Sequence, residues 1–209
     1  MANSNSTAHT IAEPLAVFYK HQGQLRLSEA LKLGINRYQF YKLRDEGLIQ
    51  PISRGVYRLT ELPPVEHPDL LIAATNFPKA VLCLISALAW HDLTTQIPHQ
   101  LDLAVERNAR PPHMEYPPVQ GHRFSGQRFT VGVEAHQIAE GIELKVYSRE
   151  KTLADCFAYR HQIGMDIVLE ALKLYRERHI PDYKKLLEHA GIWRVEKLIK
   201  PYLEASLYG

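Results

Sequence analysis

Cysteine is scarce in this chain of 209 residues: only Cys83 and Cys156, in separate apolar segments, so no disulfide framework is implied and a reducing compartment is expected. Long apolar runs are missing too. None approaches the roughly 20 residues of a membrane helix, and the start Met1-Ala2-Asn3-Ser4-Asn5-Ser6-Thr7 has neither the basic nor the apolar region of a signal peptide. The sequence therefore predicts a cytoplasmic protein with no membrane partner. No glycine-rich phosphate loop appears, nor a glycine-serine pair with spaced acids of the kind an active nucleotidyltransferase needs. The 11 histidines are scattered, and none pairs at i, i+4 around a glutamate, the spacing that sets two zinc ligands on one helix face. These gaps predict no catalytic residues, no metal and no cofactor.

What is present is ordinary globular composition, 45% hydrophobic and 23% charged, which argues against a largely disordered chain. The net charge of +2 is unevenly divided. Residues 1–60 carry Lys20, Arg26, Lys32, Arg37, Lys42, Arg44, Arg54 and Arg58 against Glu13, Glu29, Asp45 and Glu46, a net of +4, while the remainder sums to −2. Positive charge thus gathers at the N-terminal end.

The local pattern there is informative. After a disordered tail over residues 1–7, a first helix is expected from about His9 or Glu13 to Lys20, ending before Gly23. A short extended stretch, Leu25 to Leu27, follows. Ser28 is a suitable N-cap for a second helix stopping at Gly34, and Asn36 for a third spanning Arg37 to Glu46 and closed by Gly47. Leu48 to Ile52 and Gly55 to Leu59, joined by Ser53-Arg54-Gly55, read as a β-hairpin. Paired helices, a short turn and a basic hairpin describe a winged helix-turn-helix, placed at residues 8–62. Spacing residues at 100° puts Phe40 and Leu43 on the core side of the third helix, with Tyr38, Tyr41 and Lys42 opposite and Arg37 and Gln39 flanking. Arg and Lys donate to guanine, Gln pairs with adenine, and Tyr contacts phosphate or the thymine methyl. Arg54 at the hairpin tip and Arg58 on its second strand are expected to meet phosphate or the minor groove. The competing reading of this unit is a protein-contact module whose charges form a solvated face.

Three prolines within Glu61 to Pro68 mark a boundary near residue 62. Residues 63–209 read as a mixed α/β domain with a helical C-terminal end, so the fold class is α+β. Asp69 to Asn76 looks helical, Ala80 to Leu84 extended, and Ser86 a cap for a short helix. Leu101 to Val105, Gln127 to Glu134 and Ile142 to Tyr147 read as strands. Helices are expected at about 149–160, 164–178, 182–190 and 193–207, with Pro181 at a helix start and Gly191 at a break. Arg107, Arg110, Arg123 and Arg128, interleaved with prolines, form a candidate secondary basic surface. Leu153, Cys156 and Phe157 share a helical face, making Cys156 a core thiol despite Asp155 and His161 nearby. Lys151 and Asp155 have the spacing of a surface ion pair.

The stretch Gly34 to Ile49, ending in Arg54-Gly55-Val56-Tyr57-Arg58-Leu59, resembles the N-terminal domain of AbiEi-family antitoxins. Cys83 to Leu93 and Tyr147 to Phe157 resemble segments of that family's C-terminal domain. The resemblance implies a type IV toxin-antitoxin system. Its antitoxin binds double-stranded DNA at inverted repeats, represses its own operon, and counters a nucleotidyltransferase-like toxin without a stable complex. It implies antitoxicity for the C-terminal domain, which can also assist DNA binding. Two other classes stay open: a ligand-responsive winged-helix transcription factor, and an enzyme or RNA-binding activity in the C-terminal half.

Overall fold

The computed structural model describes residues 4–53, 55–62, 66–139 and 141–207 and divides the chain into two units, Met1–Asp69 and Leu70–Gly209. The fold is mixed, with helices and two sheets.

In the first unit, helix α1 runs Ser4–Lys20. It starts earlier than His9, so residues 4–7 continue the helix instead of forming a separate tail; residues 1–3 lie outside the described residues. No glycine interrupts this stretch, alanines recur in it, and Ile11, Leu15 and Phe18 repeat at helical spacing against the core. Strand β1 (Gln24–Arg26) leads directly into α2 (Leu27–Lys32). The first turn of α2 is closed by Glu29, whose Oε2 accepts the Arg26 amide at 3.2 Å, so Arg26 and not Ser28 is the N-cap. Asn36 does cap α3 (Arg37–Asp45). Its Oδ1 accepts the Gln39 amide at 2.9 Å while Gln39 Oε1 accepts the Asn36 amide at 3.0 Å. Gly47, at φ +71°, then takes the left-handed conformation that turns the chain into β2.

Strands β2 (Ile49–Ser53) and β3 (Val56–Leu59) are antiparallel, and β1 pairs with the other side of β3, giving the order β1-β3-β2. Pro51 has no amide to donate, and the register of β2 shifts between Pro51 and Ser53. Phe18, Leu25, Ala30, Ile35, Phe40, Leu43, Ile49 and Leu59 fill the core. Three helices against a three-stranded sheet are compatible with a winged helix-turn-helix.

Beyond α4 (Pro68–Asn76), the second unit is built on a five-stranded sheet of order β6-β5-β4-β8-β7. Its strands are β4 (Val81–Leu82), β5 (Leu101–Glu106), β6 (Val119–Phe124), β7 (Val133–Ala139) and β8 (Ile142–Tyr147). The β4–β8 and β5–β6 pairs are parallel, and β4–β5 and β7–β8 antiparallel. The helices are α5 (Leu84–Trp90), α6 (Gln127–Thr130), α7 (Arg149–Ala158), α8 (Arg160–Ile163), α9 (Met165–Arg178), α10 (Tyr183–Trp193) and α11 (Glu196–Leu207).

Three local elements differ from those the sequence pattern predicts. Residues 127–134 form α6 and only the start of β7, because Gly126 (φ +54°) and Gly132 (φ +73°) bracket a turn. Ser86 lies buried inside α5, whose N-cap is Cys83. Gly191 is within α10, and the chain breaks instead at Arg194 in a left-handed conformation, φ 60°. Strand β6 was not anticipated, since its residues do not alternate between apolar and polar. Helix α7 packs against α5, α9 and α10, which buries every residue from Glu150 to Phe157.

Replacing the α3 cap, Asn36→Ala, leaves the Gln39 amide without its acceptor and is expected to lower stability by about 1 kcal/mol. Denaturant titration followed by far-ultraviolet circular dichroism measures this.

Candidate nucleic-acid interface

Helix α3 is held by Phe40 and Leu43, both fully buried, so its opposite face is turned to solvent. Arg37 is exposed there and Tyr38 is 70% exposed. The other residues assigned to this face are more constrained. Gln39 is half-buried and its carbonyl oxygen is committed to the cap. Tyr41 is half-buried, with its ring edge-on to Phe40 at 6.1 Å, and the Arg44 guanidinium lies 4.7 Å from the Tyr41 ring. Arg44 also donates twice to Asp45 Oδ1, at 3.0 and 2.7 Å. Lys42 keeps 19% of its side chain exposed and lies 3.9 Å from Glu46. Two of the three cations of α3 therefore stand beside acids on the same helix, and among the described residues Arg37 is the one without such a neighbour.

In the hairpin, Arg54 lies outside the described residues. Arg58 departs from its expected role: it is 6% exposed, its Nε and Nη1 have no hydrogen-bond partner among the described residues, and burial lowers its pKa. The cause is topological. A two-stranded hairpin would leave the flank of β3 open, but β1 pairs along it, so Arg58 sits mid-sheet opposite Gln24 and Gln50. The β1 pairing is carried by three residues, too short for a periodic signal.

The arginines of the second unit separate into two groups. Arg107, Arg110 and Arg123 are exposed. Because β5 and β6 run parallel with Val105 opposite Arg123, Arg107 and Arg123 come to the same end of the sheet. Arg128 is half-buried, its guanidinium 4.3 Å from the Trp193 ring and its Nε donating to Ile192 O at 3.5 Å. Arg194, exposed beside Trp193, was missed, since only the left-handed break at that residue turns it outward.

Asp102 Oδ1 lies 2.9 Å from His122 Nε2, and Ser86 Oγ accepts the Asp102 amide at 2.8 Å. Serine and histidine both bind the aspartate and not each other, so the trio ties α5, β5 and β6 together without a nucleophile–base pair. Burial pushes both cysteine thiols well up, away from the reactive thiolate. Lys151 and Asp155, read from sequence as a surface pair, are both fully buried. Lys151 Nζ donates to both Asp155 oxygens, 2.7 Å from Oδ2, and lies 4.2 Å from the Tyr147 ring and 5.3 Å from that of Phe124. The Trp193 indole donates to the same carboxylate. The i, i+4 spacing was legible; the enclosure by aromatic rings from β6, β8 and α10 was not. Among the described residues, no cluster of three or more His, Cys, Asp or Glu is arranged to hold a metal, and no helix is long and apolar enough to cross a membrane.

Residues 13–60 match the family model described as the transcriptional regulator AbiEi antitoxin. The matched segment contains the C-terminal part of α1, from Glu13, then β1, α2, α3 and the β2–β3 hairpin. No curated protein matches the chain.

Removing one partner of a buried pair strands the other charge, so Lys151→Met is expected to cost about 3 kcal/mol or more by denaturant titration. The pH dependence has a defined sign. Burial outweighs Lys151 and the indole and pushes the Asp155 carboxyl up to about 6, against an unfolded value near 4. Between those values the folded state holds a proton that the unfolded state has released. This group's contribution is thus fully present below about pH 4 and lost as pH rises through about 6. The stability of the native protein relative to Asp155→Asn should therefore grow as pH falls from 7 to 4.

Proposed function

We propose, from the family match over residues 13–60 together with the outward face of α3, that this protein is a DNA-binding autoregulatory repressor and the antitoxin of a type IV toxin-antitoxin system. The observation that carries the reading is an unpaired arginine and a largely exposed tyrosine, Arg37 and Tyr38, at the start of a rigidly anchored helix within the matched segment. In this reading the first unit is a winged helix-turn-helix. Helix α3 enters the major groove and offers Arg37 and Tyr38 to base edges, with Tyr41, Lys42 and Gln39 at the margins. The β2–β3 hairpin is the wing, with Arg54 as its phosphate contact, while Arg58 supports the sheet from within. The operator is an inverted repeat in double-stranded DNA.

The second unit supplies antitoxicity, against a nucleotidyltransferase-like toxin with which it forms no stable complex. The protein is not an enzyme in this reading: Ser86, Asp102 and His122 are wired as a structural tie, and both thiols are deeply buried. Arg107, Arg110, Arg123 and the flank of Arg128 form a basic surface that assists on DNA. It works in the cytoplasm.

Titration of the protein with its own upstream promoter duplex, against an unrelated duplex and at two salt concentrations, tests the reading. Specific, salt-sensitive binding is expected, and equal affinity for both duplexes would contradict it. Arg37→Ala should weaken promoter binding roughly tenfold or more, the range of a lost arginine–guanine contact, with a smaller loss for Lys42→Ala because Glu46 already offsets that charge. Arg54→Ala should weaken binding to both duplexes and lower the salt slope by about one. Arg58→Ala should leave that slope unchanged.

A further inference from the structure

We propose that the outer edge of β7 is a pairing surface for a second copy of this chain, the two β7 strands running antiparallel about a two-fold axis at Ala135. Strand β7 closes one end of the sheet and pairs with β8 alone. The direction of its backbone groups follows from the ladder. The Ser148 amide donates to Gly132 O at 2.7 Å, and the register continues with Val133 opposite Tyr147 and Glu134 opposite Val146. Hydrogen-bonded pairs alternate in an antiparallel ladder, so Gly132, Glu134 and His136 bond β8, while Val133, Ala135 and Gln137 turn their amides and carbonyls outward.

This edge is lightly protected over Val133 to Gln137, since its register irregularity falls beyond them, between Gln137 and Ala139. The seven residues Val133-Glu134-Ala135-His136-Gln137-Ile138-Ala139 include no proline and no lysine, and Val133, Ala135 and Gln137 are all exposed. At the other end of the sheet, β6 carries the exposed Arg123, and a Cβ at Gly121 would meet Pro112 at 2.7 Å, so the proline loop lies over that strand.

The sequence of β7 is complementary to itself in one register. Centring the two-fold on Ala135 makes Ala135 exchange hydrogen bonds with its own copy and pairs Val133 with the partner's Gln137. Both are outward-facing positions, as the ladder requires. The small side chain at the axis allows close approach. The same register sets Glu134 opposite the partner's His136, twice, at non-hydrogen-bonded positions where cross-strand side chains come closest. A shift by one residue breaks the outward hydrogen-bonding phase, and a shift of the axis to Gln137 or Val133 removes the carboxylate–imidazole match. An interface confined to one strand edge is small, so self-association is expected at micromolar concentrations.

Sedimentation equilibrium of the full chain, without DNA, tests this over a concentration series up to about 200 µM. The native protein should dimerise. Ala135→Pro removes only an outward amide, so it should be monomeric with an unchanged melting curve. His136→Glu, which faces the partner's Glu134 with a like charge, should weaken the dimer, and the double variant Glu134→His/His136→Glu should restore it whatever Ala135→Pro does to folding. A native protein that stays monomeric throughout, a dimer that survives Ala135→Pro, or a double variant no tighter than His136→Glu would overturn the assignment. Because no DNA is present, these outcomes stand apart from success or failure of promoter binding.

Discussion

Phe40 joins the layers of the first unit: its ring lies 6.1 Å from Phe18 of α1 and 4.9 Å, edge-on, from Tyr57 of β3. Helix α3 is therefore fixed in rotation by one aromatic residue contacting both a helix and the sheet, with Leu43 one turn on to hold its far end. Everything proposed for this unit depends on that constraint. Rotating α3 by one residue, about 100°, would turn Phe40 or Leu43 out of the core and change which side chains face solvent. The Asn36–Gln39 cap fixes the start of the same helix, which is where Arg37 and Tyr38 lie.

The second unit is organised around a different interaction. A lysine and an aspartate with no solvent contact would be expensive singly, and they are retained here with three hydrogen bonds to the carboxylate and aromatic faces around the ammonium. The pair joins α7 to α10 through Trp193, and the Lys151 stem packs against Gly132, where a Cβ would meet Lys151 Cβ at 2.8 Å. Gly132 in turn immediately precedes β7, so the buried pair and the position of the sheet edge are mechanically linked. A polar centre of this kind favours one arrangement of helix and sheet over others that bury the same apolar area.

What the sequence disclosed, and what it did not, divides along the range of the interactions. Local signals were legible: the Asn36 cap, the Gly47 stop, the Phe40–Leu43 stripe and the strand-like alternation of Leu101 to Val105 and Ile142 to Tyr147 each act within a few residues. The misreadings of buried groups involve partners far along the chain, whereas those of the α5 cap, the α6 turn and the α10 break were local. Arg58 was placed on an open flank because nothing in three residues of β1 announces that they pair with β3. Lys151 and Asp155 had the spacing of a surface pair, and only the packing of β6, β8 and α10 around them makes them a buried one. Lys42 and Tyr41 were phased onto the outward face and Gln39 onto its flank, yet neighbours one turn away occupy part of each side chain.

The central claim is that the exposed start of α3 reads DNA. Backbone amide chemical-shift mapping of the full chain, titrated with its own promoter duplex, addresses it most directly, since it reports every residue without altering any. The account predicts that the largest perturbations fall on residues 36–46 and on the β2–β3 hairpin, with Arg37 and Tyr38 foremost. Perturbations confined to the second unit, or none that distinguish the promoter from unrelated DNA, would contradict it.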